Sequence, residues 1–121
     1  FNTIFSVISG GRLYDLGSGL NLFSLAAFKD DFHLRYADDL TFNYYLILGV
    51  VHKSFGLRFF PLTWREDDQV SNARLARMGG QLMRIIGGHL SGARACLAAE
   101  HRAVPRTSYP STPVTADQGP K

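Results

Sequence analysis

The sequence predicts a single α/β domain, and three observations lead to this fold class. A helical pattern of apolar residues runs from residue 38 to residue 56, and residues 57–64, which follow, have the composition of a β-strand. A helix followed at once by a strand is typical of an α/β unit. The chain has 121 residues, of which 45% are hydrophobic, enough for one compact domain and too short for two ordinary ones.

The composition excludes several classes of protein. A charged fraction of 19% beside 45% hydrophobic residues argues against a wholly disordered chain. The longest apolar run, residues 44–51, is far shorter than the ~20 residues of a membrane-spanning helix. The single cysteine, Cys96, excludes an internal disulfide framework and an all-cysteine zinc site. We therefore expect a soluble, cytoplasmic domain; because the chain opens with Phe1 rather than Met, its natural start is left open.

The charges are unevenly distributed along the chain. Six basic and eight acidic residues give residues 1–72 a net charge of −2, whereas seven basic and two acidic residues give residues 73–121 a net charge of +5. The basic character therefore belongs to the C-terminal part, and most of the acidic residues lie where the candidate motifs lie.

The first third of the chain contains short segments whose structure the pattern only partly determines. Residues 1–9 are apolar and end at two glycines, so they form either a helix end or a strand. Residues 13–25 alternate in polarity around small residues, which predicts an extended segment with a tight turn at residues 17–19. Residues 26–36 are predicted to be irregular or a short helix.

The clearest element is the helix that begins at Asp38 or Asp39. Either carboxylate can cap the free N–H groups of the first turn, and Gly56 supplies the C-terminal stop. Apolar residues recur at helical spacing between these ends: Leu40, Tyr44, Ile47 or Leu48, Val51 and Phe55. In the strand that follows, Pro61 favours a position at a sheet edge or at a strand end.

A second long helix is predicted after the polar segment 65–72, with Ser71 or Asn72 as its cap. Its apolar stripe consists of Leu75, Met78, Leu82, Ile85 or Ile86, and Leu90. The pairs at residues 79–80 and 87–88 cost about 1 kcal/mol per glycine relative to alanine, so we expect a kinked or broken helix. Prolines predict a disordered tail over residues 103–121, which leaves residues 1–102 as the domain.

Three groups of residues carry candidate chemistry, and the first is the pair Asp38 and Asp39. A carboxylate at a helix N-terminus stays ionised and can accept a proton as a general base. The same pair also suits a plain N-cap with a solvated neighbour. The residues alone favour this second interpretation, because Asp is a preferred cap.

The second group is the polar run that follows the predicted strand. Ligand sites of α/β sheets usually lie beyond the carboxyl ends of strands, so this position suits binding. Arg65 could clamp a phosphate with its planar guanidinium, while Gln69 or Asn72 could bind a sugar hydroxyl. A solvated loop is an equally good interpretation. The candidate binding residues of this run are Trp64, Arg65, Glu66, Asp67, Gln69, Ser71 and Asn72.

The third group lies at the glycine-rich turn, where small residues let a backbone approach a ligand. Its candidates are Asp15, Ser18 and Asn21. The segment lacks the Gly-Lys-Ser/Thr ending of a phosphate-binding loop, and a simple turn is the favoured interpretation. The arginines of the second helix could contact anionic lipid, although a solvated basic face is the favoured explanation for them.

Three segments together resemble the C-terminal half of bacterial family 2 glycosyltransferases, which have the GT-A fold and are related to polyprenyl-phosphate sugar synthases. The segments are DLGSGLNLF (residues 15–23), DDLTFNYYL (residues 38–46) and FFPLTWREDDQVSN (residues 59–72). The resemblance covers roughly residues 1–90, and the run from residue 64 to residue 72 is its most specific part.

The resemblance implies an inverting enzyme that moves a sugar from a nucleotide-sugar donor to a lipid-linked or glycan acceptor. Asp38 or Asp39 falls where many relatives carry the general base. Arg65 falls where relatives hold a donor or lipid phosphate. The segment that begins at Asp15 resembles the strand that shapes the floor of the sugar site.

The nucleotide-binding half of such an enzyme and its metal-binding Asp-x-Asp motif do not occur in this sequence. The resemblance therefore predicts the acceptor-side part of a GT-A transferase, inactive alone, with Mg²⁺ or Mn²⁺ required by the complete enzyme. An anionic membrane surface, at the inner face of the membrane, is a further expected contact, and nucleic acid is not expected. The alternative is a non-catalytic module that binds a membrane surface or a protein through the basic helix.

Overall fold

The computed structural model describes residues 1–18, 20–63 and 75–105, and all regular structure in these ranges is helical. The helices are α1 (Asn2–Ser9), α2 (Phe42–His52), α3 (Leu75–Ala98) and two short 3-10 helices, Leu25–Phe28 and Phe32–Arg35. Because these ranges contain no β-strand, the prediction of an α/β, GT-A-type fold is wrong.

A strand was predicted in residues 57–63. Side chains there alternate between packed and exposed, as in a strand, but no strand forms. Leu57 and Phe59 pack against the core, whereas Arg58 and Phe60 are exposed. A strand also needs a neighbour that takes up its backbone hydrogen bonds, and among the described residues no backbone hydrogen bond joins residues 57–63 to another segment. The extended segment predicted at residues 13–25 likewise contains no strand where it is described, and Gly19 of its predicted turn lies outside the described residues.

Residues 1–9 could be a helix end or a strand by sequence, and the structure shows that they form the helix α1. This helix ends at Gly10, whose φ of 71° lies in the left-handed region that glycine tolerates. The Gly10 N–H donates to the Val7 carbonyl at 3.3 Å. Phe5 is fully buried, and its ring centroid lies 5.4 Å from that of Tyr44 in α2. An aromatic contact therefore anchors α1 on α2.

The central helix is α2, and its residues 45–50 are all buried. A helix that is apolar on every side must be covered on every side. Here α1, α3 and the 3-10 helix Phe32–Arg35 provide the cover. At Gly49 a Cβ atom would overlap the Tyr36 hydroxyl, so glycine is what allows the segment after the 3-10 helix to approach α2.

The long helix α3 continues through both glycine pairs, where the sequence predicts a kink, and is interrupted instead at Gly92. The backbone of Gly92 is extended, with φ 164° and ψ 89°. The cap predicted at Ser71 or Asn72 lies outside the described residues. Among the side chains of α3 whose burial the structure describes, Leu82, Ile85, Ile86 and Leu97 are buried. In the part of the chain that the structure describes, no helix is both long and apolar enough to cross a membrane.

The segment after α3 folds back onto the start of α2. The His101 N–H donates to the Arg35 carbonyl at 2.8 Å, and the His101 ring stacks on Tyr45 with centroids 4.1 Å apart. The Ala103 N–H donates to Asp38 Oδ1 at 3.2 Å. The first residue of the predicted tail thus contacts the residue that precedes Asp39, while residues 106–121 lie outside the described residues.

Candidate functional site

The amino end of α2 brings together two of the segments that the sequence analysis singled out. The carbonyl oxygen of Ser18 accepts a hydrogen bond from Asn43 Nδ2 at 2.7 Å and a second from Asn21 Nδ2 at 2.9 Å. The two amides also face each other, with Asn21 Nδ2 3.4 Å from Asn43 Oδ1. We call Asp15, Ser18, Asn21, Asn43 and Tyr44 the polar cluster.

Asp15 and Tyr44 form the other side of the polar cluster, and Gly17 lies close to both. A Cβ on Gly17 would lie 3.3 Å from the Tyr44 hydroxyl and 3.9 Å from Asp15 Oδ1. Burial raises the pKa of Tyr44, and the negative charge of Asp15 raises it further. The Tyr44 hydroxyl therefore stays protonated at neutral pH and can donate a hydrogen bond.

Apolar residues hold the loop of the polar cluster in place. Leu13 is 5% exposed and Leu16 is fully buried, whereas Tyr14 and Asp15 between them are exposed. Ser6 of α1 adds polar contacts, since the Leu13 N–H donates to Ser6 Oγ at 2.9 Å and Ser6 Oγ lies 3.1 Å from the Leu13 carbonyl oxygen. Because the loop is fixed at Leu13 and Leu16, Asp15 is held at the surface.

Both carboxylate oxygens of Asp39 are engaged inside the chain. Oδ1 accepts from the Thr41 N–H at 2.8 Å and from the Thr41 hydroxyl at 2.6 Å, and Oδ2 accepts from Gln81 Nε2 of α3 at 2.9 Å. Partial burial raises the pKa of Asp39, but the hydrogen bonds from Thr41 and Gln81 and the charge of Arg77 outweigh it, so the pKa is lowered. Asp39 therefore stays ionised in front of α2 and joins α2 to α3.

Asp38 has a different neighbour and a freer carboxylate. Its side chain is exposed, and its Oδ1 accepts one hydrogen bond, from the Ala103 N–H at 3.2 Å. The two candidate bases therefore differ in what they can do. Asp39 already accepts three hydrogen bonds from the chain, two at Oδ1 and one at Oδ2, whereas Asp38 accepts one at Oδ1 and has more free lone pairs for a ligand proton.

Asn43 and Gln81 belong to this region but were missed by the sequence analysis. Asn43 is the one side-chain amide of α2, and a half-buried amide needs hydrogen-bond partners, so its position in an apolar helix is a signal that could have found it. Nothing in the local pattern singles out Gln81, because its partner Asp39 is 42 residues away.

The candidate group after the predicted strand cannot be placed beside the polar cluster. It lies in residues 64–74, outside the described residues, and comprises Trp64, Arg65, Glu66, Asp67, Gln69, Ser71 and Asn72. Its binding role stays a prediction.

Where the structure describes the chain, no three His, Cys, Asp or Glu side chains come close enough together to hold a metal ion. The divalent cation that the resemblance implies stays a prediction.

An open depression of about 440 Å³ lies beside the carboxyl end of α3. It is lined by Asp31, Leu34, Arg35, Ala98, Glu100 and Arg102. Arg102 Nε and Nη2 each donate to a Glu100 oxygen at 2.7 Å, and these hydrogen bonds lower the pKa of Glu100 to about 2. Arg35 Nη1 donates to the Ala98 carbonyl at 2.9 Å. Arg35 thus holds the end of α3 in place and Arg102 ties together the segment that follows it, which is a structural explanation for both arginines.

Comparisons with known proteins assign no family to the chain. No family model, no curated protein and no solved structure matches it. The geometry at the amino end of α2 and the resemblance of three segments are therefore the grounds on which a function can be proposed.

Proposed function

We propose that this chain supplies the acceptor side of an inverting sugar transferase, on a helical scaffold rather than the GT-A fold, and that the polar cluster contacts sugar hydroxyls. One observation carries the proposal. Residues 15–23 and 38–46, two of the three segments that resemble such enzymes, meet at the Ser18 carbonyl. Asn43 is 25 residues from Ser18, so proximity along the chain does not explain the contact.

The groups of the polar cluster suit recognition of sugar hydroxyls. Each hydroxyl both donates and accepts hydrogen bonds, and a side-chain amide can do the same. The Asn43 amide is half-buried and fixed by Ser18, whereas Asn21 is exposed and can exchange its bond to Ser18 for one to a ligand. Tyr44 adds a protonated hydroxyl near Asp15.

In this proposal Asp38 is the general base and Asp39 is a positioning residue. The acceptor hydroxyl attacks the anomeric carbon while its proton passes to an Asp38 oxygen. The bond from the anomeric carbon to the nucleoside diphosphate breaks on the opposite side, which inverts the configuration. Asp39 keeps its contacts to Thr41 and Gln81 and so fixes the residues that lead into α2.

The chain alone is not expected to transfer sugar. Such a reaction needs groups that hold the donor's diphosphate and metal ion, and the Asp-x-Asp motif that supplies them in the similar enzymes does not occur in this sequence. Detectable transfer or donor hydrolysis by the 121-residue chain would contradict this part of the proposal.

Sugar binding can be tested by NMR titration of the 121-residue chain with cellobiose, maltose, chitobiose and UDP. We expect weak, millimolar binding of at least one disaccharide, with shifts of the side-chain amides of Asn21 and Asn43, and no such shifts with UDP. Asn21→Ala should weaken the binding severalfold. Thr3→Ala is the control, because this exposed polar side chain of α1 lies outside residues 15–23 and 38–46.

Two results would count against the proposal. Shifts that map away from residues 15–23 and 38–46 would move the sugar site elsewhere. Binding that is equally strong in wild type, Asn21→Ala and Asn43→Ala would remove the polar cluster from it.

A further inference from the structure

The outer side of α1 and α3 carries a row of exposed apolar side chains. Phe1, Ile4 and Val7 at α1 are 52%, 43% and 76% exposed, and Met83 and Leu90 of α3 are 56% and 68% exposed. We call these five residues the apolar strip. Soluble proteins seldom leave a contiguous apolar patch in water unless it binds something.

The two halves of the apolar strip are neighbours, because α1 and α3 lie side by side and run in the same direction. At one end of the pair, a Cβ on Gly79 would lie 4.0 Å from Phe1 Cζ. At the other end, the His89 imidazole interacts with the backbone of Ile8. The exposed residues of the two helices therefore lie along the same stretch of surface.

Three lines of exposed residues define the outer face of α3: Met83 and Leu90, Gly80 and Gly87, and Arg77 and Arg84. The members of each line are seven residues apart, which is about two helical turns. At about 100° per residue, the glycine line lies between the apolar line and the arginine line. Because glycine has no side chain, the arginine stems can lie over this line and bring their guanidinium groups beside the apolar strip.

Among the residues of α1 and α3 themselves, this face contains no acid. Neither α1 nor α3 has an Asp or Glu in its sequence, and Arg94 adds a further exposed cation to α3. Asp39 interacts electrostatically with Arg77, but its carboxylate is already bound by Thr41 and Gln81. The face is therefore apolar along one side and cationic along the other.

We propose that this face binds an anionic lipid surface, with the apolar strip in the interface and the arginines at the headgroup phosphates. Helices with one apolar side and one basic side lie in the plane of a membrane in this way. A second copy of the chain fits less well, because two such faces would bring arginines together with no acid to offset them. The inference is independent of the transferase proposal.

Co-sedimentation of the 121-residue chain with vesicles tests the inference, using phosphatidylcholine alone and phosphatidylcholine mixed with phosphatidylglycerol. We expect binding to the mixed vesicles that weakens as salt is added. The double variant Arg77→Gln/Arg84→Gln should bind about 30-fold more weakly, because it loses two positive charges that attract the anionic headgroups. Leu90→Ser should bind about tenfold more weakly, since less apolar surface enters the interface.

Leu22→Ser and Arg58→Gln are matched controls, because they make the same changes at exposed residues outside this face. Both should bind the mixed vesicles as wild type does, and circular dichroism should show equal helix content in all variants. The proposal is overturned by equal binding to neutral and mixed vesicles, or by equal losses in the controls. Self-association without vesicle binding would overturn it too, as would binding to a soluble polyanion alone.

Discussion

Two regions of α2 differ in how their side chains are partnered. Residues 45–50 are all buried, under the cover of α1, α3 and the 3-10 helix Phe32–Arg35. In front of these residues, Asp39 accepts hydrogen bonds from Thr41 and from Gln81 of α3. Asn43, in the first turn, donates to the Ser18 carbonyl. Non-directional packing therefore covers the body of the helix, whereas directional bonds hold its amino end.

This difference indicates where the protein can lose stability and where it can accept a ligand. Full burial of a large apolar side chain contributes about 1.5–3 kcal/mol, whereas a hydrogen bond contributes about 0.5–1.5 kcal/mol net. Changes in the body of α2 should therefore destabilise the whole protein. Changes at the amino end should leave the protein folded and alter its local order, its pH dependence or its binding.

Leu48→Ala should have the largest effect. Leu48 is 1% exposed in the middle of α2, and its truncation leaves a cavity that packed helices refill only in part. We expect the free energy of unfolding to fall by about 2–5 kcal/mol. Urea denaturation followed by circular dichroism measures this change.

Leu22→Ala is the matched control for Leu48→Ala, because it makes the same chemical change at a side chain that is 100% exposed. Its effect should stay within about 0.5 kcal/mol. Similar losses in the two variants would mean that the body of α2 is not the core on which stability depends.

The helices could be predicted from the sequence because their signals are local. Apolar spacing predicts a helix over residues 38–56, and the structure has α2 at Phe42–His52. The predicted caps are wrong, because Thr41 rather than Asp38 or Asp39 is the N-cap and the C-cap is Lys53, before Gly56.

The apolar stripe of α3 was predicted equally well at Leu82 and Ile85, which are both buried. Leu90 is predicted on the same stripe but is 68% exposed, because it lies two turns after the exposed Met83, on the outer face of α3.

The sheet and the polar cluster depend on partners that are distant in sequence. Alternation at Leu57 and Phe59 was interpreted as a strand, yet a strand forms only where another strand takes up its backbone groups. The contact from Asn43 to Ser18 spans 25 residues, and that from Gln81 to Asp39 spans 42. Local patterns carry no information on such pairs, so Asp39 was predicted near a helix start but its partners were not.

Asp39→Asn should have the next largest effect, and the effect should depend on pH. Burial raises the pKa of Asp39, but hydrogen bonds from Thr41 and Gln81 and the charge of Arg77 lower it below its ordinary value of 3.8 in the folded protein. A carboxylate of this kind stabilises the fold above its unfolded pKa and loses that effect as the pH falls through the folded pKa. We expect the variant to be about 1 kcal/mol less stable at neutral pH, and the difference to shrink below pH 3.8.

Denaturation of wild type and Asp39→Asn at neutral and acidic pH measures this difference. Asp38→Asn is the control, because Asp38 accepts a single exposed hydrogen bond, from the Ala103 N–H at 3.2 Å, and should show a smaller difference. A destabilisation by Asp39→Asn that is the same at both pH values would show that the charge of Asp39 is not what stabilises the amino end of α2.

Asn43→Ala should have the smallest effect on stability and a clear effect on local order. It removes the hydrogen bond to the Ser18 carbonyl, which contributes about 0.5–1.5 kcal/mol, but alanine's higher helix propensity offsets part of this loss. Hydrogen exchange is therefore the better measurement, and we expect faster exchange of the amides in residues 13–18. Asn21→Ala should cause a smaller change, because Asn21 is exposed, its bond to Ser18 is local, and its contact with Asn43 is long at 3.4 Å. If the two variants exchange alike, the contact between α2 and the loop does not order the polar cluster.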